Sequence, residues 1–335
     1  MGEITIRQAH VTFREQAEWF LNNSGRRRRK PAKPKTIEDW RYSLEKWLNP
    51  NLGDLPLASV NNAAVKPLVA KMAECGLSPK SIETYTGLVK LIVASALDED
   101  GNELFPRKWN HEFMDMPIVE KQKQRRPAFD AQTMSAIVEK TSEAEQVLYA
   151  LLAGSGLRIG EALGLEIKHI SPDLRTVTVE QSCWRRRLQE PKTRNAYRQV
   201  DLCSPLAGLL NSFIGNRQSG LLFQNRKGKP LCKDNVRNRS LHRILEELNV
   251  EKTGFHAMRR FRTTWLRKQG VPEDLIKFWL GHADKSVTDG YSKLKEDVEF
   301  RREQAERIGV GFALPASMRP MRPKISYTAR REAVA

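Results

Sequence analysis

Apolar residues recur at helical spacing through the first hundred positions. Phe13, Ala17, Phe20 and Leu21 share one stripe between Ile6 and Leu21, which is the pattern of a single amphipathic helix. Ile37, Trp40, Leu44, Trp47 and Leu48 make a second stripe, with Thr36 and Asp39 spaced as a capping-box-like start. Leu52-Gly53 turns the chain, and a third helix carries Val65, Leu68, Val69 and Met72, with Pro67 marking its first turn nearby. Ser78-Pro79 caps a fourth, whose buried stripe is Ile82, Tyr85, Val89, Ile92 and Ala96. Trp40, Trp47 and Tyr85 are expected in the core of this small bundle, which reaches about Phe105, rather than as stacking platforms on its surface.

The pattern breaks between Asp115 and Ala128, where Pro117 and Lys121-Gln122-Lys123-Gln124-Arg125-Arg126-Pro127 carry no apolar period. Beyond it, helices are predicted from Gln132 to Thr141 and from Glu145 to Gly154, and Gly154-Ser155-Gly156 precedes a fresh start at Leu157. From Arg175 to Cys203 the period falls to two. Val177 and Val179 alternate with Thr176, Thr178 and Glu180, and Val200 and Leu202 alternate with Gln199 and Asp201. Two antiparallel strands with a long basic connection fit this, the connection containing Glu190-Pro191-Lys192-Thr193-Arg194 and offering Lys192 at a hairpin tip. Helices follow over Pro205–Ile214, Asn235–Leu248, Phe255–Lys268 and Pro272–Leu280, with Leu221-Leu222-Phe223 a short buried run. The fold class is therefore mainly α with a small antiparallel sheet (α+β). The predicted division is a helical domain over 1–116, a basic linker over 117–128, a second domain over 129–300 and a basic tail over 301–335.

Charge narrows the partner. The formal net charge is +17, from 57 Lys and Arg against 40 Asp and Glu, and neutralising phosphates releases counterions, so a polyanion is the expected ligand. Arg26-Arg27-Arg28-Arg29-Lys30 opens a proline-broken basic segment reaching Lys35, with no acid inside it. It is expected to be a mobile loop on DNA phosphates, as are Lys121, Lys123, Arg125 and Arg126 in the linker. The four cysteines, Cys75, Cys183, Cys203 and Cys232, show no paired spacing, so neither a zinc site nor a disulfide framework is indicated and a reduced cytoplasm fits. The start Met1-Gly2-Glu3-Ile4-Thr5 lacks a signal-peptide plan and the run Leu91-Ile92-Val93-Ala94 is too short to span a bilayer, so an intracellular protein is expected, and with only Met1–Ile6 ahead of the first helix no separate leading domain is expected.

The chemistry gathers late in the chain. In Gly254-Phe255-His256-Ala257-Met258-Arg259-Arg260, the histidine and Arg259 stand three apart on one helical face, and Leu280-Gly281-His282 and Tyr291 follow. Cationic and hydrogen-bonding groups of this kind can hold a phosphate while a phenol attacks it, and an arginine fork suits phosphate especially well. Upstream, Arg158 and Glu161 lie three apart after the glycine-ended helix. His10, His111, His169 and His242 have no partner at ligand spacing and are expected to be structural or surface groups.

Taken in order, Arg158, Lys192, His256-x-x-Arg259, His282 and Tyr291 resemble the tyrosine recombinase (phage integrase) family. The local phrases Gly156-Leu157-Arg158-Ile159-Gly160-Glu161, Pro191-Lys192-Thr193 and Leu280-Gly281-His282 carry the likeness, and the first bundle looks like the family's core-binding (SAM-like) module. The resemblance implies a C-shaped clamp on duplex DNA and a set of roles. Tyr291 would attack the scissile phosphate and leave a 3′-phosphotyrosyl link. Arg158 and Arg259 would grip the non-bridging oxygens. His256 would shuttle a proton near the tyrosine, His282 would hydrogen-bond the phosphate, and Lys192 would protonate the departing 5′-oxygen, with Glu161 orienting the cluster.

One phosphoester replaces another in such a reaction, so no cofactor and no metal is expected, and the sequence carries no Gly-rich phosphate loop and no His-Glu-x-x-His. The expected partner is double-stranded DNA, with no membrane. A homotetramer on DNA with exchange of C-terminal tails is implied, Ile308–Leu314 being the apolar graft, although a tail folded on its own domain is weighed equally. Residues from Met318 onward are expected to lack fixed structure. The leading function is integration or excision of a phage or mobile element. The alternatives are a Xer-like dimer resolvase, a type IB topoisomerase-like enzyme and, from another class, a non-catalytic DNA-binding regulator.

Overall fold

In the computed structural model, residues 11–29, 31–120, 122, 126–191, 194–282, 293 and 296–315 are described. Lys30, Lys121, Lys123, Arg125, Lys192, Tyr291 and the chain from 316 onward, each singled out above, lie outside the described residues. Two compact units divide between Gln124 and Arg125, within the basic stretch read as a linker. Among the described residues no helix is long and apolar enough to cross a membrane.

The first unit is a helical bundle. Helix α1 spans Phe13–Ser24 and starts on a true capping box, in which the Thr12 hydroxyl accepts from the Glu15 amide and Glu15 reaches back to the Thr12 amide. Helix α2, Pro34–Ser43, begins earlier than the Thr36 reading predicts. Proline preset at the first position starts the helix; Thr36 lies inside it, and Asp39 accepts from Lys35 at 2.7 Å instead of capping anything. The last residues of the basic segment therefore belong to a helix rather than to a loop. A π turn over Leu44–Leu48 joins α2 to α3, Asn49–Leu52, and turns Leu44, Trp47 and Leu48 into the core. Helix α4, Asn62–Glu74, corrects the reading of Pro67. That residue sits inside the helix, because Asn61 sets the start by accepting from the amides of Ala63 and Ala64. Helix α5, Pro79–Val93, is capped by Ser78 as expected. Trp47 is 9% exposed, while Trp40 packs against Phe20 and Tyr85 lines the same core.

The second unit surrounds a larger core with helices α6 (Ala131–Glu139), α7 (Glu143–Ser155), α8 (Ile159–Gly164), α9 (Ser204–Ile214), α10 (Lys233–Val236), α11 (His242–Glu247), α12 (His256–Lys268), α13 (Glu273–Leu280) and α14 (Val298–Ile308). A π turn over Arg237–Leu241 joins α10 to α11. Strand β1, Thr176–Val179, pairs antiparallel with β4, Arg198–Asp201, setting Val177 opposite Val200. The connection between them is not a plain basic loop. It holds a second hairpin, β2 (Ser182–Trp184) with β3 (Arg187–Gln189). This hairpin turns at Arg185 and Arg186, both at positive φ (47° and 63°); consecutive left-handed residues match the twist of a two-residue hairpin.

Helix α14 crosses the predicted 300/301 boundary and packs on its own unit. Arg301, 3% exposed, meets Asp201 of β4 at 2.9 Å, and that carboxylate also accepts from Trp279 Nε1 at 2.9 Å and the Thr176 hydroxyl at 3.0 Å. Trp265 Nε1 donates to the Ile308 carbonyl at 2.9 Å, and Phe312 stands edge-on to Phe261. In the single chain, residues 298–315 pack on their own unit.

Candidate active site

Helix α7 ends where Gly156 takes a left-handed conformation (φ 75°), and a Cβ there would lie 2.7 Å from Leu280. That close approach brings the end of α7 against the end of α13. Two residues on, Arg158 is the extended residue that starts α8. Its side chain stays 39% exposed while its Nη1 donates to Glu161 Oε1 at 2.7 Å, and Glu161 Oε2 accepts the Arg158 amide at 2.8 Å. A carboxylate at the third position of α8 thus holds both the backbone and the guanidinium of Arg158.

Glu161 is 3% exposed and is saturated from its other side by Arg198 of β4, whose Nη2 and Nη1 lie 2.9 and 3.2 Å from its two oxygens. Burial pushes the Glu161 carboxyl up, but the Arg198 hydrogen bonds and charge, followed by Arg158, outweigh it and leave the group below its ordinary range. It is an ionised carboxylate at neutral pH.

Arg259 comes from the first turns of α12, three residues after His256, which is the first residue of that helix. It is 4% exposed; Nη1 donates to the Gly156 carbonyl at 2.6 Å, and Nη2 donates to the Leu280 carbonyl and to His282 Nε2, the latter at 3.1 Å. One guanidinium therefore ties the loop before Arg158 to the end of α13. Burial, then the Arg158 charge, pulls it down to about 9, still cationic at neutral pH. Since a guanidinium only donates, His282 Nε2 accepts, and the neutral ring carries its proton on Nδ1.

His282 follows Gly281, which ends α13 in the left-handed region (φ 63°). A Cβ on Gly281 would sit 2.9 Å from the Asn195 carbonyl and 3.0 Å from Arg198, so only glycine lets α13 end this tightly against the segment leading into β4. The imidazoles of His256 and His282 are both exposed and both held below their ordinary value. For His256 the causes are desolvation and then Arg259, Arg260 and Arg158; for His282 they are desolvation and then Arg259, Arg158 and Arg198.

Arg158, Glu161, His256, Arg259 and His282 thus meet in one cationic cluster. Lys192 and Tyr291 lie outside the described residues. Arg26, Arg27, Arg28 and Arg29 are exposed on the first unit, with Arg27 over the Phe20 ring at 5.5 Å, and Arg126 is exposed at the start of the second. Arg198 was missed by the motif reading. Its signal was present: strand alternation puts it on the same inward face as Val200, where a charge needs a buried partner. Asp201, read as the polar side of that strand, is in fact 1% exposed. It occupies the strand's last position, where Trp279, Arg301 and Thr176 supply the hydrogen bonds that solvent would otherwise give.

Residues 127–297, just over half of the chain, match the phage integrase family. The chain belongs to that family. A tyrosine recombinase XerC-like protein of Caldanaerobacter subterraneus subsp. tengcongensis is 23% identical over 308 residues, covering 83% of this chain and 78% of that one. The ICEBs1 integrase of Bacillus subtilis strain 168 is likewise 23% identical, over 294 residues, with coverage of 83% and 78%. Among solved structures, the Tn1549 transposon integrase in complex with transposon right-end DNA superposes with a TM-score of 0.66 at 20% identity, covering 86% of this chain and 99% of that one. This tyrosine recombinase is accordingly an enzyme of site-specific recombination, which cleaves and rejoins DNA.

Proposed function

We propose that the recombinase serves the integration or excision of a phage or other mobile element, working in the bacterial cytoplasm on duplex DNA through a 3′-phosphotyrosyl intermediate at Tyr291. The convergence of Arg158, Arg259 and His282 from three separate segments carries this reading. Three guanidiniums, Arg158, Arg198 and Arg259, surround one carboxylate, Glu161, leaving a surplus of positive charge to meet a phosphate. Arg158 and Arg259 grip its non-bridging oxygens and stabilise the charge that grows on them in the pentavalent transition state. His282, with its proton on Nδ1, donates a hydrogen bond there, and neutral His256 accepts the phenol proton. Lys192 gives a proton to the departing 5′-oxygen. Arg26–Arg29 with Lys30, and Lys121, Lys123, Arg125 and Arg126, track the DNA backbone. Each copy brings one nucleophile, and exchanging two duplexes breaks four strands, so four copies assemble on DNA; Ile308–Leu314, on its own unit in the single chain, is the piece positioned in sequence to pass between them.

A nicked suicide duplex carrying the native attachment site tests the reading. The wild-type chain is expected to become covalently trapped, and Tyr291→Phe to bind the same duplex with no adduct. A Tyr291→Phe protein that still forms the adduct removes Tyr291 from the nucleophile role.

The two lowered histidines set the pH response. Both ordinarily titrate at 6.5 and here bind their proton only at lower pH. Protonated His282 can no longer accept from Arg259, and each added charge repels the arginines. Single-turnover cleavage is therefore expected to fall to half of its plateau only below pH 6.5. A rate already halved at or above that value contradicts the assignment.

A further inference from the structure

We infer that Arg198 is a positioning residue for the reaction, holding Arg158 through Glu161 and the His282 end of α13 through the backbone. This rests on the site reading proposed above. Arg198 is 5% exposed, and among the described residues its side-chain hydrogen bonds run to the segments that build the site. Nη1 and Nη2 take the two Glu161 oxygens at 3.2 and 2.9 Å; Nε donates to the Trp279 carbonyl at 2.7 Å; and Nη1 donates to the Ala196 carbonyl at 3.0 Å. Trp279 lies three residues before His282, and Ala196 lies just after the stretch that contains Lys192. The Arg198 side chain is 1% exposed, and both of its Nη atoms are engaged by Glu161.

The carboxylate makes the link directional. Glu161 accepts four hydrogen bonds, two from Arg158 and two from Arg198, which fills its acceptor sites. With the fork of Arg198 in place, the carboxylate has one orientation and Arg158 has one place to lie. Without it, the carboxylate turns toward the half-exposed Arg158 and solvent, and the guanidinium leaves its alignment. Lysine cannot substitute, because one ammonium cannot span both carboxylate oxygens and two backbone carbonyls in one plane.

The test compares wild type, Arg158→Ala, Arg198→Met and Arg198→Lys in single-turnover cleavage of two suicide duplexes, one with the native scissile phosphate and one with a methylphosphonate there. A neutral phosphorus centre develops less charge for Arg158 to neutralise, so losing Arg158 costs less on it. If Arg198 acts through Arg158, both Arg198 variants lose about 100-fold on the phosphate and markedly less on the methylphosphonate, reproducing the ratio of Arg158→Ala. The ratio is taken within one preparation, so a partly folded sample does not change it. The double change Glu161→Gln with Arg198→Met removes both buried charges together and keeps the same expected ratio if either single variant fails to fold. Equal losses on the two substrates, or near wild-type cleavage by Arg198→Lys, overturn the inference. Absence of an adduct from wild type itself overturns the site reading beneath it; normal behaviour of wild type and Arg158→Ala with no ratio change at Arg198 overturns the Arg198 assignment alone.

Discussion

Replacing Arg259 by lysine is expected to lower single-turnover DNA cleavage by about 1,000-fold while DNA binding in a mobility-shift assay stays within a few-fold of wild type. Loss of one preorganised donor to a developing oxyanion by itself costs about 100- to 1,000-fold, and Arg259 does more than donate. Its guanidinium holds the Gly156 carbonyl at 2.6 Å, the Leu280 carbonyl, and His282 Nε2 at 3.1 Å. Those contacts run to the loop that delivers Arg158 and to the helix end that delivers His282, so a lysine forfeits the fork and loosens two neighbours. DNA affinity, by contrast, is spread over many phosphate contacts and depends little on one buried group. Cleavage by Arg259→Lys within about tenfold of wild type would show that the site is not organised through this side chain.

The second large effect is on stability. Arg301→Ala leaves the Asp201 carboxylate, 1% exposed, without its ionic partner. Breaking a buried pair from one side costs about 3–5 kcal/mol, and for a domain near 200 residues each kcal/mol moves the midpoint by about 2–4 °C. A drop of about 10 °C in the thermal midpoint is expected, and because Trp279 of α13 shares Asp201, loss of α14 docking should also slow cleavage. Changing both partners together, Asp201→Asn with Arg301→Met, is expected to recover most of the midpoint, since removing both charges spares their desolvation. A single variant that melts with the wild type would mean that α14 is not held by this pair.

Much of the molecule was legible in the sequence. The stripes Phe13, Ala17, Phe20, Leu21 and Ile82, Val89, Ile92 became helices with those residues inward, because amphipathic period is a local property that a short window contains. The errors were local as well. At Thr36 and Pro67 two start signals competed, and the stronger one, Pro34 in the first turn or Asn61 as cap, decided each boundary. The second hairpin was hidden because Ser182–Gln189 is too short and too basic to display an alternating apolar face.

By itself the sequence determined the two groups of elements, the basic character, and the order Arg158, Glu161, His256, Arg259, His282 from which a phosphate site follows. Only the tertiary structure decided what holds those groups together. Arg198 on β4 completes the coordination of Glu161, Gly156 and Gly281 allow backbones to approach, and Asp201 ties α13 to α14. The reason is physical: a motif lists donors and charges along one dimension, whereas the partner of a buried charge is whatever folding places within about 3 Å of it, here residues 37, 78 and 100 positions away in the chain.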